Sequence, residues 1–248
     1  MASPARKGLL FRVRREVRRV GVQVGLLQPY QPEFFAGFSE ASRASARVVL
    51  PLVRSWLNPA SVVDVGCGTG GWLAVWLELG VENVRGIDGD YVLPEQLEIP
   101  HNQFTTADVA APISMSERFD LAMCLEVAEH LPPAAGETLV ASLAGLADAI
   151  LFSAAVPGQG GTGHVHERWP DYWAGLFAAH GFVVVDAVRP VIWADERVSW
   201  WYRQNTLLFL RPERLAACVE LAGIAARRAG SPLCIAQPYM VERLARRK

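Results

Sequence analysis

Glu126, Glu129 and His130 fall at i, i+3 and i+4, directly after the apolar run Phe119–Leu125. If that stretch turns helically, the three side chains share one face. Downstream, His164, His166 and Glu167 close a loop that carries Gly158, Gly160, Gly161 and Gly163. Two kinds of chemistry suit these residues. An imidazole or a carboxylate can take a proton from an acceptor group as it reacts, which marks His130, His164, His166 and Glu126 as candidate bases. Two carboxylates and two imidazoles can instead hold a divalent cation such as Mg2+ or Mn2+, which marks Glu126, Glu129, His130 and His164 as candidate ligands. A plainer use is structural: a histidine that caps a helix start or steadies a glycine loop. His101 and His180 sit at a loop and a helix end and read as solvated.

Such groups act beside a bound small molecule, and the chain offers a place for one. Val62-Val63-Asp64-Val65 reads as a buried strand, Gly66-Cys67-Gly68-Thr69-Gly70-Gly71 as a sharp turn, and Trp72–Leu79 as a helix. Glycines let a ligand approach the backbone, and the helix aims its free N–H groups and positive end at it. Gly66, Gly68 and Gly71 fit a dinucleotide pattern; Asp64, Gly66, Gly68 and Gly70 fit an S-adenosylmethionine pattern. Asp88 ends a second strand 20 residues after Gly68. A carboxylate there can accept hydrogen bonds from ribose hydroxyls under either reading.

The elements that must position these residues follow from hydrophobic periodicity and from Gly/Pro punctuation. Strands are predicted near 61–66, 83–88, 102–107, 119–125, 148–155, 182–188 and 204–210, and helices near 70–79, 133–147 and 168–180. A long helix is predicted over Glu33–Leu57, bent or interrupted at Pro51, and a basic helix over 4–20. Arg211–Ala229 and Pro238–Arg247 read as added helices. The alternation implies an α/β fold: a Rossmann-like, seven-stranded, mostly parallel sheet with helices on both faces. An N-terminal helical lid (1–57), a core (58–211) and a C-terminal helical extension (212–248) are expected within one structural domain.

Two further motifs separate the ligand classes. Phe104-Thr105-Thr106-Ala107-Asp108-Val109 is a third strand ending in an acid, and the fourth strand runs into Glu126-Val127-Ala128-Glu129-His130-Leu131-Pro132. With four motifs in order over Val62–Pro133, the chain resembles the class I S-adenosylmethionine-dependent methyltransferases. The resemblance implies that Asp64, Gly66, Cys67, Gly68 and Gly70 hold the methionine end of the cofactor, Asp88 the ribose, and Asp108 with the Val109 backbone the adenine. Leu125, at the end of the fourth strand, is placed beside the cofactor. It also implies an N-terminal lid over the acceptor, so Tyr30, Phe34 and Phe35, with Trp193, are candidate substrate-binding aromatics. The family closes its sheet with an antiparallel hairpin, which Phe182–Val188 and Gln204–Leu210 would form. The Glu-x-x-Glu-His run resembles the metal-binding motif of small-RNA 3′-terminal 2′-O-methyltransferases and of some ubiquinone-pathway O-methyltransferases, with His164 or His166 in place of their downstream histidine.

The expected reaction is methyl transfer to an oxygen of a small molecule or a sugar hydroxyl. The alternatives are a metal-dependent RNA 2′-O-methyltransferase, a small-molecule N-methyltransferase, an inactive binding protein on the same fold and a nicotinamide dehydrogenase. A net charge of −1 gives no bulk attraction to nucleic acid, so no stable nucleic-acid partner is expected. No apolar run approaches the roughly 18 residues of a membrane span. The basic start holds too short an apolar run, Gly8–Phe11, for a signal peptide. Four dispersed cysteines without metal or disulfide spacing suit a reducing cytoplasm. A homodimer is among the assemblies these features allow.

Overall fold

The computed structural model describes residues 32–246, with side chains from Glu40 onward. The predicted helix over 4–20, Tyr30, and the side chains of Phe34 and Phe35 therefore lie outside the described residues. Contacts set Ser39–Lys248 apart as one compact unit.

Seven strands form its sheet: β1 (Ser61–Val65), β2 (Asn83–Asp88), β3 (Phe104–Thr106), β4 (Leu121–Leu125), β5 (Ala149–Ser153), β6 (Val183–Val185) and β7 (Leu207–Leu210). Their order is β3-β2-β1-β4-β5-β7-β6. The first five in sequence run parallel, and β7 is antiparallel to both β5 and β6. The chain order reverses between β1 and β4, which are paired through Val62–Leu121 and Asp64–Met123. In open α/β sheets the ligand crevice lies beyond the carboxyl ends of strands at such a reversal.

The inner strands are apolar because both of their faces are covered. Every residue of Leu121–Leu125 and of Ala149–Ser153 is buried. Leu121, Met123, Ala149 and Leu151 face one core, shared with α1 (Pro32–Leu57) through Ala46, Val49, Leu50 and Val53, and with α2 (Gly71–Glu78) through Trp72, Val75 and Trp76. The alternate residues Ala122, Cys124, Ile150 and Phe152 face a second core with α3 (Gly136–Leu146) and α4 (Pro170–Ala179), in which Phe177 stacks on Phe209 of β7.

Some local readings are corrected. α1 is not interrupted at Pro51, which is exposed. The carbonyl it leaves unpaired belongs to exposed Arg47, where solvent can reach it. The strand predicted over 182–188 shortens to Val183–Val185, and α5 (Val188–Ile192) follows. The last strand, predicted over 204–210, starts only at Leu207 as β7, because Gln204 and Asn205 end the short helix α6 (Trp200–Asn205). Tertiary contacts override β propensity there: Tyr202 packs edge-on against Trp72, and its hydroxyl lies 3.2 Å from Ser42 Oγ on α1. β6 and β7 pair antiparallel, but across two helices rather than a tight turn.

Three helices complete the chain: α7 (Pro212–Ala216), α8 (Val219–Arg227) and α9 (Pro238–Ala245). A buried ion pair binds this region to the sheet. The guanidinium of Arg189, 1% exposed, grips both oxygens of Asp186 at 2.9 and 2.8 Å and donates to the Leu233 carbonyl at 2.8 Å. Arg228 of the segment after α8 adds a second cation on Asp186.

Candidate functional site

The turn after β1 is held open by its glycines. Gly66, Gly68 and Gly70 have φ of 81°, 55° and 89°, a region costly for side-chain-bearing residues. Gly66 is fixed by packing as well, since a Cβ there would lie 2.4 Å from Val127 Cγ2. A Cβ on Gly68 would instead meet nothing within 4 Å. The turn thus exposes bare backbone at Gly68, while Gly70 caps the start of α2. The Cys67 thiol points into room left by Gly86, whose ideal Cβ would lie 2.8 Å from the sulfur. Burial raises that thiol well above its usual range, so it stays protonated.

Two buried aspartates back the turn. Asp88 Oδ2 accepts from Gly68 N at 2.6 Å, Oδ1 accepts from Gly89 N at 2.6 Å, and the Tyr91 hydroxyl donates to Oδ1. Asp64 is 3% exposed. Burial first, and then Asp88, push its carboxyl up to about 7. Glu98 latches the turn to α1: it accepts from Thr69 Oγ1 at 2.8 Å and from Arg43 at 2.9 Å. Asp108 closes a turn after β3 by accepting from Ala110 N at 3.1 Å, and Val109 packs half-buried on the second core.

Beyond β4 the chain departs from the helical turn expected of Glu126–His130. Glu126 is left-handed, with φ 57°, and only Ala128–His130 form a 3₁₀ turn. The Glu126 N–H reaches Ser153 O at 3.0 Å, which ties the end of β4, at Leu125, to β5. The single-face arrangement therefore does not form, and the acids take different surroundings. Glu126 Oε1 accepts from Asn205 Nδ2 at 3.0 Å, and Oε2 from Gln159 Nε2 at 2.9 Å. Strain at a non-glycine residue persists only where neighbours over-determine it, as these bonds do, and it gathers at functional sites.

Glu129 turns elsewhere. It is fully buried, and neither of its oxygens accepts a well-formed hydrogen bond. The N–H groups of Glu129 and Ala155 offset only part of the effect of burial. Burial, and then neighbouring Glu126, hold this carboxyl well above the usual range. One ligand atom from each of Glu129, His130 and His164 lies within 4.8 Å of the other two. The rings of His130 and His164 meet edge to face at 4.8 Å. Burial, then His164, lower His130 to about 4, so it is a neutral imidazole near pH 7.

The structure thus brings together three of the four candidate ligands and places Glu126 among the amides instead. His166 stands apart. It is 2% exposed and packs edge-on against Tyr172 and Trp173, and burial lowers its pKa. Trp193 follows α5, and its carbonyl accepts from Gln237 of the C-terminal segment at 2.9 Å. Gln159 and Asn205 went unnoticed in the sequence because isolated amides carry no motif. Their only cue was a glutamine inside the glycine loop.

Residues 38–224 match the protein family described as a methyltransferase domain. The chain belongs to this family. In an alignment 97 positions long that covers 33% of the chain, the protein is 37% identical to the ubiquinone biosynthesis O-methyltransferase of Pseudomonas syringae pv. tomato; the corresponding enzyme of Stutzerimonas stutzeri is 34% identical over the same length. These matches span only 40% of those curated relatives. Among solved structures, magnesium protoporphyrin IX methyltransferase from Synechocystis PCC 6803 with bound SAH is 20% identical, with a TM-score of 0.53, covering 80% of this chain and 99% of that one. Streptomyces venezuelae DesVI is 15% identical, with a TM-score of 0.55, covering 72% and 95%. At these identities the likeness is one of fold. Among the described residues, no helix is long and apolar enough to cross a membrane.

Proposed function

We propose that this methyltransferase methylates a hydroxyl oxygen of a small molecule or sugar, with Glu129, His130 and His164 handling the acceptor. The observation that carries this reading is the buried Glu129 carboxyl, with neither oxygen well bonded, beside two partly buried imidazoles at the carboxyl ends of β4 and β5. S-adenosylmethionine, when bound, supplies the electrophilic methyl group. The open backbone at Gly68, the positive end of α2 and the Asp88 carboxylate suit its polar parts. Asp64, Gly66, Cys67, Gly70, Asp108, Val109 and Leu125 complete that side of the site.

A hydroxyl becomes a competent nucleophile only as its proton leaves. Neutral His130 can accept that proton, and His164 stands against it. Glu126, clamped by two amides, fixes the floor of the acceptor side and is less suited to be the base. The same three groups also fit a divalent cation, since Glu129 brings two oxygens without well-formed bonds to two imidazoles. Mg2+ or Mn2+ there would polarise the acceptor oxygen. The four free thiols suit a cytoplasmic protein.

The test is methyl transfer from labelled S-adenosylmethionine to panels of sugars, catechols, a short RNA and amines. Glu129→Gln and the His130→Ala/His164→Ala double variant should keep S-adenosylhomocysteine affinity and lose roughly 10²–10⁴-fold in turnover. Loss on chelation with recovery on Mn2+ selects the cation version. Transfer to amines alone, undiminished in the double variant, would overturn the reading, because an amine is already nucleophilic.

A further inference from the structure

Glu167 sits behind the candidate centre rather than in it. Its Oε2 accepts from Gly158 N at 2.8 Å, and its Oε1 accepts from Gly160 N at 2.7 Å. The same Oε1 lies 2.9 Å from His164 Nδ1. The pair is largely shielded from water, with side-chain exposures of 20% for Glu167 and 11% for His164. We propose that Glu167 is a positioning residue that fixes His164 as its Nδ1–H tautomer, so that the lone pair the ring has to offer is on Nε2.

The chemistry leaves little choice. A carboxylate that receives two backbone N–H groups has acceptors only, so the proton of the third bond belongs to the ring. A neutral imidazole with its proton on Nδ1 has its lone pair on Nε2. A second feature of the loop protects this orientation. An ideal Cβ on Gly161 would lie 2.2 Å from His164 Nε2, so only glycine leaves the ring its place. Gly158, Gly160 and Gly163 have φ of 87°, 65° and 75°. The backbone between them is thus free to follow the carboxylate that gathers it. Partners of this kind set the tautomer and basicity of histidines that bind metals or move protons.

The functional half of this proposal rests on His164 acting in the reading above; the tautomer does not. In the full-length protein with ¹⁵N-labelled histidine and no added metal, two-bond ¹H–¹⁵N spectra at neutral pH should show His164 protonated on Nδ1. The His164→Ala variant assigns the signal among the five histidines. Glu167→Gln should redistribute the proton between the nitrogens. It should also weaken binding of Mn2+ alone by about 10-fold or more, with S-adenosylhomocysteine affinity unchanged. Glu167→Asp should restore the wild-type tautomer in part. An Nε2–H tautomer in the wild type, or a Glu167→Gln variant with the wild-type tautomer, overturns the proposal. Full turnover in His164→Ala overturns the reading beneath it and removes the functional role of Glu167, while the tautomer still reports whether the bond exists. Gly161→Ala leaves Glu167 intact and should disturb the same His164 signal; an unchanged signal there counts against the geometry.

Discussion

Asp64 shows how far one buried charge can couple the site to the fold. Its carboxyl is raised from an ordinary value of 3.8 to about 7, by burial first and Asp88 second. A carboxyl raised in the folded state stabilises that state fully below its unfolded pKa and loses the contribution as pH rises through the folded value. Stability should therefore fall between about pH 4 and pH 7, by roughly 4 kcal/mol for a shift of this size. Asp64→Asn cannot ionise, so the stability difference between variant and wild type should grow across that window. Urea titrations at pH 4, 5.5, 7 and 8 measure it, and a pH-independent difference would show that Asp64 is not the titrating group. Burial and the companion acid are not visible from Asp64 itself. The sequence marked the residue as a motif acid but gave no hint that it would be held near neutrality.

At the scale of elements, the glycine turn separates folding from binding within a few residues. Gly66→Ala meets both a positive φ and Val127 at 2.4 Å. It should lose roughly 2–4 kcal/mol of stability, as an over-packed and strained site does. Gly68→Ala meets only the backbone cost, on the order of 1 kcal/mol, because its Cβ projects into open space. That space is where a cofactor would approach, so Gly68→Ala should weaken S-adenosylhomocysteine binding far more than it lowers Tm. Paired calorimetry and thermal melts distinguish the two. Equal affinity in Gly68→Ala and wild type would move the cofactor away from this turn. The turn was legible because its cause is local: a β-branched run, then glycines, then a helix start. The loop after β4 was not. The i, i+3, i+4 spacing pointed to a helical face, whereas Ser153, Gln159 and Asn205 pull Glu126 into a left-handed conformation from 27, 33 and 79 residues away.

At the scale of the whole molecule, the C-terminal segment is tied to the acceptor side through buried polar groups. Gln237 N–H donates to Gln204 Oε1 at 2.7 Å, and Arg243 donates to the Gln159 carbonyl at 2.9 Å. Behind them, Arg189 and Arg228 share Asp186. Removing Arg189 strips Asp186 of two buried hydrogen bonds, leaves it Arg228 alone, and takes the donor from the Gln204 and Leu233 carbonyls. Arg189→Met should therefore cost about 3 kcal/mol in urea unfolding; a cost under about 0.5 kcal/mol, typical of surface sites, would show the pair to be incidental.

The sequence alone determined the sheet, its parallel sense, the order of its motifs and the place of the glycine turn. Buried β-branched runs and glycine or proline punctuation act over a few residues, and right-handed crossovers leave few ways to assemble them. Only the tertiary structure decided which acids and imidazoles meet. Glu129, His130 and His164 come together, Glu126 goes to Gln159 and Asn205, and His166 packs among aromatic rings. Side chains at the ends of strands take their directions from loop backbones. Those backbones are fixed by positive φ angles and by hydrogen bonds between segments far apart in sequence, which no local pattern encodes.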